Sequence, residues 1–146
     1  MVQLVNDVMT PGAMTVEPDS PLVDAAQLMR DQDLGSVLVV EGDRLVGMVT
    51  DRDIALRVVA DGGDPRVIDV RSVCTPDPIC VGPEEEASEA VALMRRHAVR
   101  RLPVVADGRP IGMVSLGDLA ENRDPNSALA DISRAAPSPG QGTVMT

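Results

Sequence analysis

The chain has 146 residues, 44% of them hydrophobic, enough for one ordinary domain or two small units sharing a core. A net charge of −10 and a pI near 4.4 repel a phosphate backbone, so nucleic-acid binding is not expected. No apolar run approaches the roughly 20 residues that cross a bilayer, and Met1 is followed by no basic and apolar leader, so a cytoplasmic location without membrane contact is expected.

The first predicted element is a short strand over residues 14–16. Ser20-Pro21 follows as an N-cap with proline at the first helical position, and Leu22, Ala25, Ala26 and Met29 then recur at helical spacing. Two apolar runs, 37–40 and 45–49, flank the turn-forming Glu41-Gly42-Asp43-Arg44 and predict a hairpin. A second helix opens near Asp51 and closes by Gly62-Gly63, before Asp64-Pro65.

The same order then returns. A strand is predicted over 79–81, a helix carries Ala87, Ala90, Val91 and Met94, a hairpin turns at Asp107-Gly108, and a helix runs from Leu116 to about Asn122. Laid without a gap on residues 73–120, residues 8–55 are identical at about a third of positions, among them Thr10-Pro11 with Thr75-Pro76, Leu28-Met29-Arg30 with Leu93-Met94-Arg95, and Gly47-Met48-Val49 with Gly112-Met113-Val114. Duplication accounts for this. One βαββα unit would leave much of its apolar surface wet, so two are expected to cover each other as a pseudo-twofold pair. The divisions are 1–65, 66–123, and a C-terminal 124–146 with a short helix at 127–135 and a flexible tail from Pro137 to Gly142.

The richest correspondence is Gly47-Met48-Val49-Thr50-Asp51-Arg52-Asp53 against Gly112-Met113-Val114-Ser115-Leu116-Gly117-Asp118. Each copy sets a hydroxyl at a strand end with a carboxylate three residues on. One reading is a helix capping box, with Asp in place of the usual Glu or Gln. The other is that the carboxylate faces a cleft and accepts hydrogen bonds from two ribose hydroxyls, while the hydroxyl and free helix N–H groups hold the sugar and phosphate side. Phe, Tyr and Trp are absent, so a bound base would lie between aliphatic side chains.

From residue 5 to 122 the chain resembles a pair of cystathionine-β-synthase (CBS) domains, or Bateman module, of the stand-alone bacterial kind; the repeat, the Gly-h-h-Thr/Ser-x-x-Asp motif and Val-Arg-Arg-Leu-Pro-Val-Val at 99–105 carry the resemblance. It implies an α+β fold, a tandem pair of βαββα CBS units packed with pseudo-twofold symmetry. It further implies that Thr50, Asp53, Ser115 and Asp118 contact the ribose and phosphate of an adenosyl ligand such as AMP, ADP, ATP or S-adenosylmethionine. The base would lie against residues 14–16 and 35–37 in one copy, including Thr15, Val16, Ser36 and Val37, and against 79–81 and 101–103 in the other, including Cys80, Arg101 and Leu102. Arg52 could neutralise a phosphate where Gly117 cannot, so the two sites are not expected to be equivalent.

Arg95, Arg96, Arg100 and Arg101 form the basic cluster of an acidic chain. They suit a helix C-terminus, with Arg100 and Arg101 also candidates for phosphate contact. His97 beside them has no partners for a metal site or triad. Cys74 and Cys80 match no usual zinc spacing and are read as reduced packing residues; redox sensing is the lesser alternative. No nucleophile–base–orienter set and no Lys-bearing phosphate loop is present, so no catalytic residue, metal or required cofactor is expected. The expected function is a regulatory adenosyl-nucleotide sensor, homodimeric, acting on an unidentified effector protein. The alternative is a ligand-free homodimeric interaction scaffold or stress-related adaptor.

Overall fold

The structure, a computed structural model, describes residues 2–123 and 126–135. The tail expected at Pro137 to Gly142 lies outside the described residues. In chain order the elements are α1 (Val5–Val8), β1 (Thr10–Pro11), β2 (Thr15–Val16), α2 (Leu22–Gln32), β3 (Ser36–Glu41), β4 (Arg44–Thr50) and α3 (Asp51–Ile54). After a 3-10 turn at Val70–Ser72 come β5 (Thr75–Pro76), α4 (Ala87–His97), β6 (Arg101–Ala106), β7 (Arg109–Ser115), α5 (Leu116–Arg123) and α6 (Ala128–Arg134).

Two sheets result, one ordered β2-β3-β4-β5 and the other β1-β7-β6. In the first, β2 runs parallel to β3, with Val16 opposite Val39. Its repeat equivalent in the second sheet is reduced to a single parallel bridge from Val81 to Val104, so the strand expected over 79–81 is one residue long. Both hairpins break register at the same place, between Val39 and Val40 and between Val104 and Val105. The expected tandem α+β architecture is what the chain adopts.

The N-terminal segment of each repeat crosses to the other. Strand β1 pairs antiparallel with β7, Thr10 opposite Met113, while β5 pairs with β4, Thr75 opposite Met48. The cores follow the same exchange. Val5 and Val8 pack with Ala87, Ala90, Met94, Leu102, Val104 and Val114, whereas Val70 and Val73 pack with Leu22, Ala25, Met29, Val37, Val39 and Val49. The apolar stripes read from helical spacing therefore do face the sheets, and each core is closed by two valines from outside its own hairpin.

This crossing also alters the start of the long helices. The sequence suggests Ser20 as the N-cap of α2, yet Pro21 holds that position and no side chain caps it. The first helical donors find backbone acceptors instead: Leu22 N–H donates to the Ile68 carbonyl at 2.8 Å and Val23 N–H to the Pro65 carbonyl at 2.9 Å. In α4 the Ala87 N–H donates to the Gln3 carbonyl at 2.8 Å in the same way. A tertiary carbonyl supplies what a serine hydroxyl would otherwise provide.

The helix opening at Asp51 keeps α geometry for one turn and continues as a π-helical turn, Ala55–Val59, rather than running regularly to Gly62. Ser127 caps α6 by accepting from the Ala130 N–H at 3.1 Å. The hairpin turns meet where the repeats face each other: Leu45 N–H donates to the Gly108 carbonyl at 3.0 Å and Arg109 pairs with Asp43 at 3.4 Å.

Candidate functional site

Both Thr/Ser–Asp pairs close as capping boxes. Thr50 Oγ1 accepts from the Asp53 N–H at 3.0 Å while Asp53 Oδ2 accepts from the Thr50 N–H at 2.9 Å. Ser115 Oγ accepts from the Asp118 N–H at 3.1 Å, and Asp118 Oδ2 accepts from the Ser115 N–H at 3.0 Å. The cap uses one carboxylate oxygen of each aspartate. The other oxygen of Asp53, Oδ1, has Arg57 Nε at 3.9 Å.

Beside Ser115 and Asp118 opens a cavity of about 420 Å³, within the span typical of small-molecule sites. Its walls come from both repeats. Thr10 to Met14, Leu34, Ser36 and Leu38 belong to the first, and Met113, Ser115 and Asp118 to the second. The lining is largely aliphatic, as the lack of aromatic residues requires, and among the described residues Asp118 is its one ionisable side chain.

The crossing of β1 brings this about. Pairing of Thr10 and Pro11 with β7 leads residues 12–14 over the end of the second repeat's sheet, so the first repeat's Ser36 and the second repeat's Asp118 line one cleft. Strand alternation decides which neighbours of Ser36 take part. Leu38, two residues on, lines the cleft, while Val37 lies in the first core; its repeat equivalent Leu102 lies in the second.

The remaining sequence candidates are dispersed. Thr50 and Asp53 are half-buried at the start of α3, and Arg52 is exposed beside them. Thr15 lines a separate groove with Val40, Gly42, Asp43, Arg109 and Pro110, and Val16 packs partly against the first core. Cys80 is exposed and borders a small depression with Arg44, Leu45, Asp77 and Pro78. Arg100 is exposed, and its carbonyl accepts from the Leu116 N–H at 2.8 Å. Arg101 takes the repeat position of Ser36, and its guanidinium lies against Gly35, where an added Cβ would sit 3.0 Å from Nη1.

Thr10, Gly12, Leu34, Leu38 and Met113 line the cleft without being among the candidates expected from the sequence. Leu38 could have been found from the alternation with Ser36; the others depend on a pairing between distant segments. A larger groove of about 640 Å³ runs between the hairpin turns, rimmed by Glu41, Asp43, Arg44, Asp107 and Arg109, and it holds neither capping motif. Among the described residues no group of three or more His, Cys, Asp or Glu is placed to hold a metal ion, and no helix is long and apolar enough to cross a membrane.

Comparison with known proteins agrees with this architecture. The family model described as CBS domain matches residues 5–60 and 70–124. The CBS domain-containing protein YhcV of Bacillus subtilis is 41% identical over 133 residues, covering 88% of this chain and 94% of that protein. The crystal structure of Hypoxic Response Protein I with two coordinated zinc ions superposes with a TM-score of 0.75 at 33% identity, covering 82% of this chain and 98% of that one. The CBS domain pair of protein MJ0100, in complex with 5′-methylthioadenosine and S-adenosylmethionine, shares the fold with a TM-score of 0.76 at 21% identity, covering 87% of this chain and all of that one.

Proposed function

The chain belongs to the CBS-domain family, with two copies in tandem, and from that premise we propose that it is a regulatory module that senses an adenosyl compound in the cleft between its repeats and catalyses nothing. One observation carries the reading: the cleft of about 420 Å³ is walled by both repeats and has Ser115 and Asp118 on its border. Asp118 Oδ1 is left over from the cap and suits a ribose diol, and aliphatic Met14, Leu34 and Leu38 suit the faces of a base. A ligand touching both repeats favours one relative orientation of them, and that bias is what an effector protein would read. AMP, ADP, ATP and S-adenosylmethionine are the ligands to try first.

The test is a thermal-shift series with these compounds on the purified chain. A ligand at 100 times its Kd adds about 2.7 kcal/mol to stability, a shift readily seen. Asp118→Ala should weaken binding by roughly tenfold or more, the loss of about 1.5–3 kcal/mol that a hydrogen bond to a charged group supplies. Its melting temperature without ligand separates this from the lost cap.

The closed capping boxes favour a second reading, a ligand-free scaffold in which both motifs serve only the helices. Unchanged melting with every adenosyl compound would select it. Either reading is proposed to act as a homodimer, supported by Leu56, Val59 and Ile132, which are 52%, 65% and 70% exposed on helical turns. Light scattering on the purified chain checks this, and a monomer would reject it. Two free thiols, Cys74 and Cys80, accord with a cytoplasmic setting.

A further inference from the structure

We propose that the cleft at Ser115 and Asp118 selects a nucleoside that carries no phosphate, such as a free or 5′-thio-substituted nucleoside, over a nucleotide; this rests on the adenosyl-sensor reading and narrows it. Among the described residues the walls are apolar or neutral apart from Asp118, so a phosphate brought into the cleft would meet a carboxylate and no lining cation. Stripping water from such a group without a counter-charge is costly, and the net charge of −10 adds repulsion at longer range.

The usual substitute for a cation, a helix N-terminus with free N–H groups, is mostly committed here. Of the first three donors of α5, Leu116 N–H is bound to the Arg100 carbonyl at 2.8 Å and Asp118 N–H to Ser115 Oγ at 3.1 Å. Between them, on the Cα side of Gly117, Ser133 of α6 fills the space that a Cβ would take.

No arginine is among the described residues that line the cleft. Arg100 and Arg52 are exposed to solvent. Arg101 is turned onto Gly35, where Asp51 Oδ2 is also close: an added Cβ there would sit 3.0 Å from Arg101 Nη1 and 3.6 Å from that carboxylate oxygen. The exchange of Ser36 for Arg101 between the repeats thus puts a serine in this cleft and the cation at the related position.

Isothermal titration of the full chain with adenosine, 5′-methylthioadenosine, AMP and ATP in one buffer tests the selectivity. The two phosphate-free compounds should bind roughly tenfold or more tightly than AMP, and ATP more weakly still. Thr10→Arg places a guanidinium at an exposed point of the lining and should raise AMP affinity relative to adenosine; unchanged AMP affinity in a folded Thr10→Arg chain would count against the cleft as the site. AMP binding as tightly as adenosine to the unaltered chain overturns the selectivity and leaves the sensor reading standing. Absence of binding by all four, together with unchanged melting in ADP and in S-adenosylmethionine, overturns both.

Discussion

A Cβ built on Gly112 would stand 2.6 Å from the Thr10 carbonyl oxygen, closer than real side chains approach a backbone. The glycine that opens the second repeat's motif is therefore there for the crossing strand β1, which needs a bare backbone beside it. Gly47 meets Cys74 and the Thr75 carbonyl in the related position. Gly112→Ala must push β1 off β7, and since Thr10 to Met14 also wall the cleft, it should lower both stability and ligand affinity. A loss of about 1–3 kcal/mol in urea unfolding is expected, the scale of overpacking. Gly82→Ala, whose Cβ meets nothing nearer than Glu85 at 3.5 Å, is the control and should change little.

Ala98 ends α4 in the left-handed region at φ 54°, with its N–H donating to the Met94 carbonyl. Asp33 ends α2 at the same φ, but aspartate tolerates that region better than alanine does. Ala98→Gly removes the Cβ clash and should stabilise the chain by about 0.5–1 kcal/mol, after allowance for glycine's freedom when unfolded. A rise of the melting temperature is the expected result, and a fall would mean that the Ala98 methyl group packs usefully.

Asp69 caps the 3-10 turn that carries Val70 into the first core, accepting from Ser72 Oγ at 2.6 Å and from the Ser72 N–H at 3.1 Å. Those bonds, the hydroxyl's first, hold its carboxyl below the usual carboxylate range. A lowered value in the folded state gives stability that is present above the unfolded pKa of about 3.9 and is lost as pH falls through the lower folded value. Asp69→Asn should therefore be less stable at neutral pH and show a shallower loss below about pH 4. Urea midpoints across that range check it, and parallel curves for the two chains would remove the role given to Asp69.

How far the sequence reached can be judged on these residues. The hairpins and helical stripes were legible because the apolar runs 37–40 and 45–49 about the turn at Gly42, and the spacing of Leu22, Ala25 and Met29, are local patterns. The crossing was not: α1 is four residues and β1 two, too short to show a period, and the pairing of Thr10 with Met113 joins opposite ends of the described chain. Ser36 and Asp118 were each legible as candidates, but that they share one cleft follows only from the crossing.

Burial pushes the Cys74 thiol up, against the opposing charge of Arg71, and burial together with Glu85 pushes up that of Cys80. Both should be protonated at neutral pH and react with iodoacetamide more slowly than an ordinary exposed thiol at the same pH. Cys80, the more exposed, should label first. Rapid labelling of either at pH 7, followed by mass spectrometry, would instead revive redox sensing.

Because Val5 and Val70 are fully buried in the core of the opposite repeat, single truncations should loosen the half of the molecule farther along or back in sequence rather than their own. Val5→Ala is expected to cost roughly 2 kcal/mol and to speed native-state amide exchange in α4, β6 and β7 more than in α2, β3 and β4. Val70→Ala should reverse that pattern. The two variants remove the same methyl groups, so a shared global loss cancels between them and only the site of packing differs. Exchange profiles that are indistinguishable would mean that the two cores open as one unit. Acceleration in α2, β3 and β4 by Val5→Ala would mean that the N-terminal segment packs on its own repeat, and the cleft formed by its crossing would go with it.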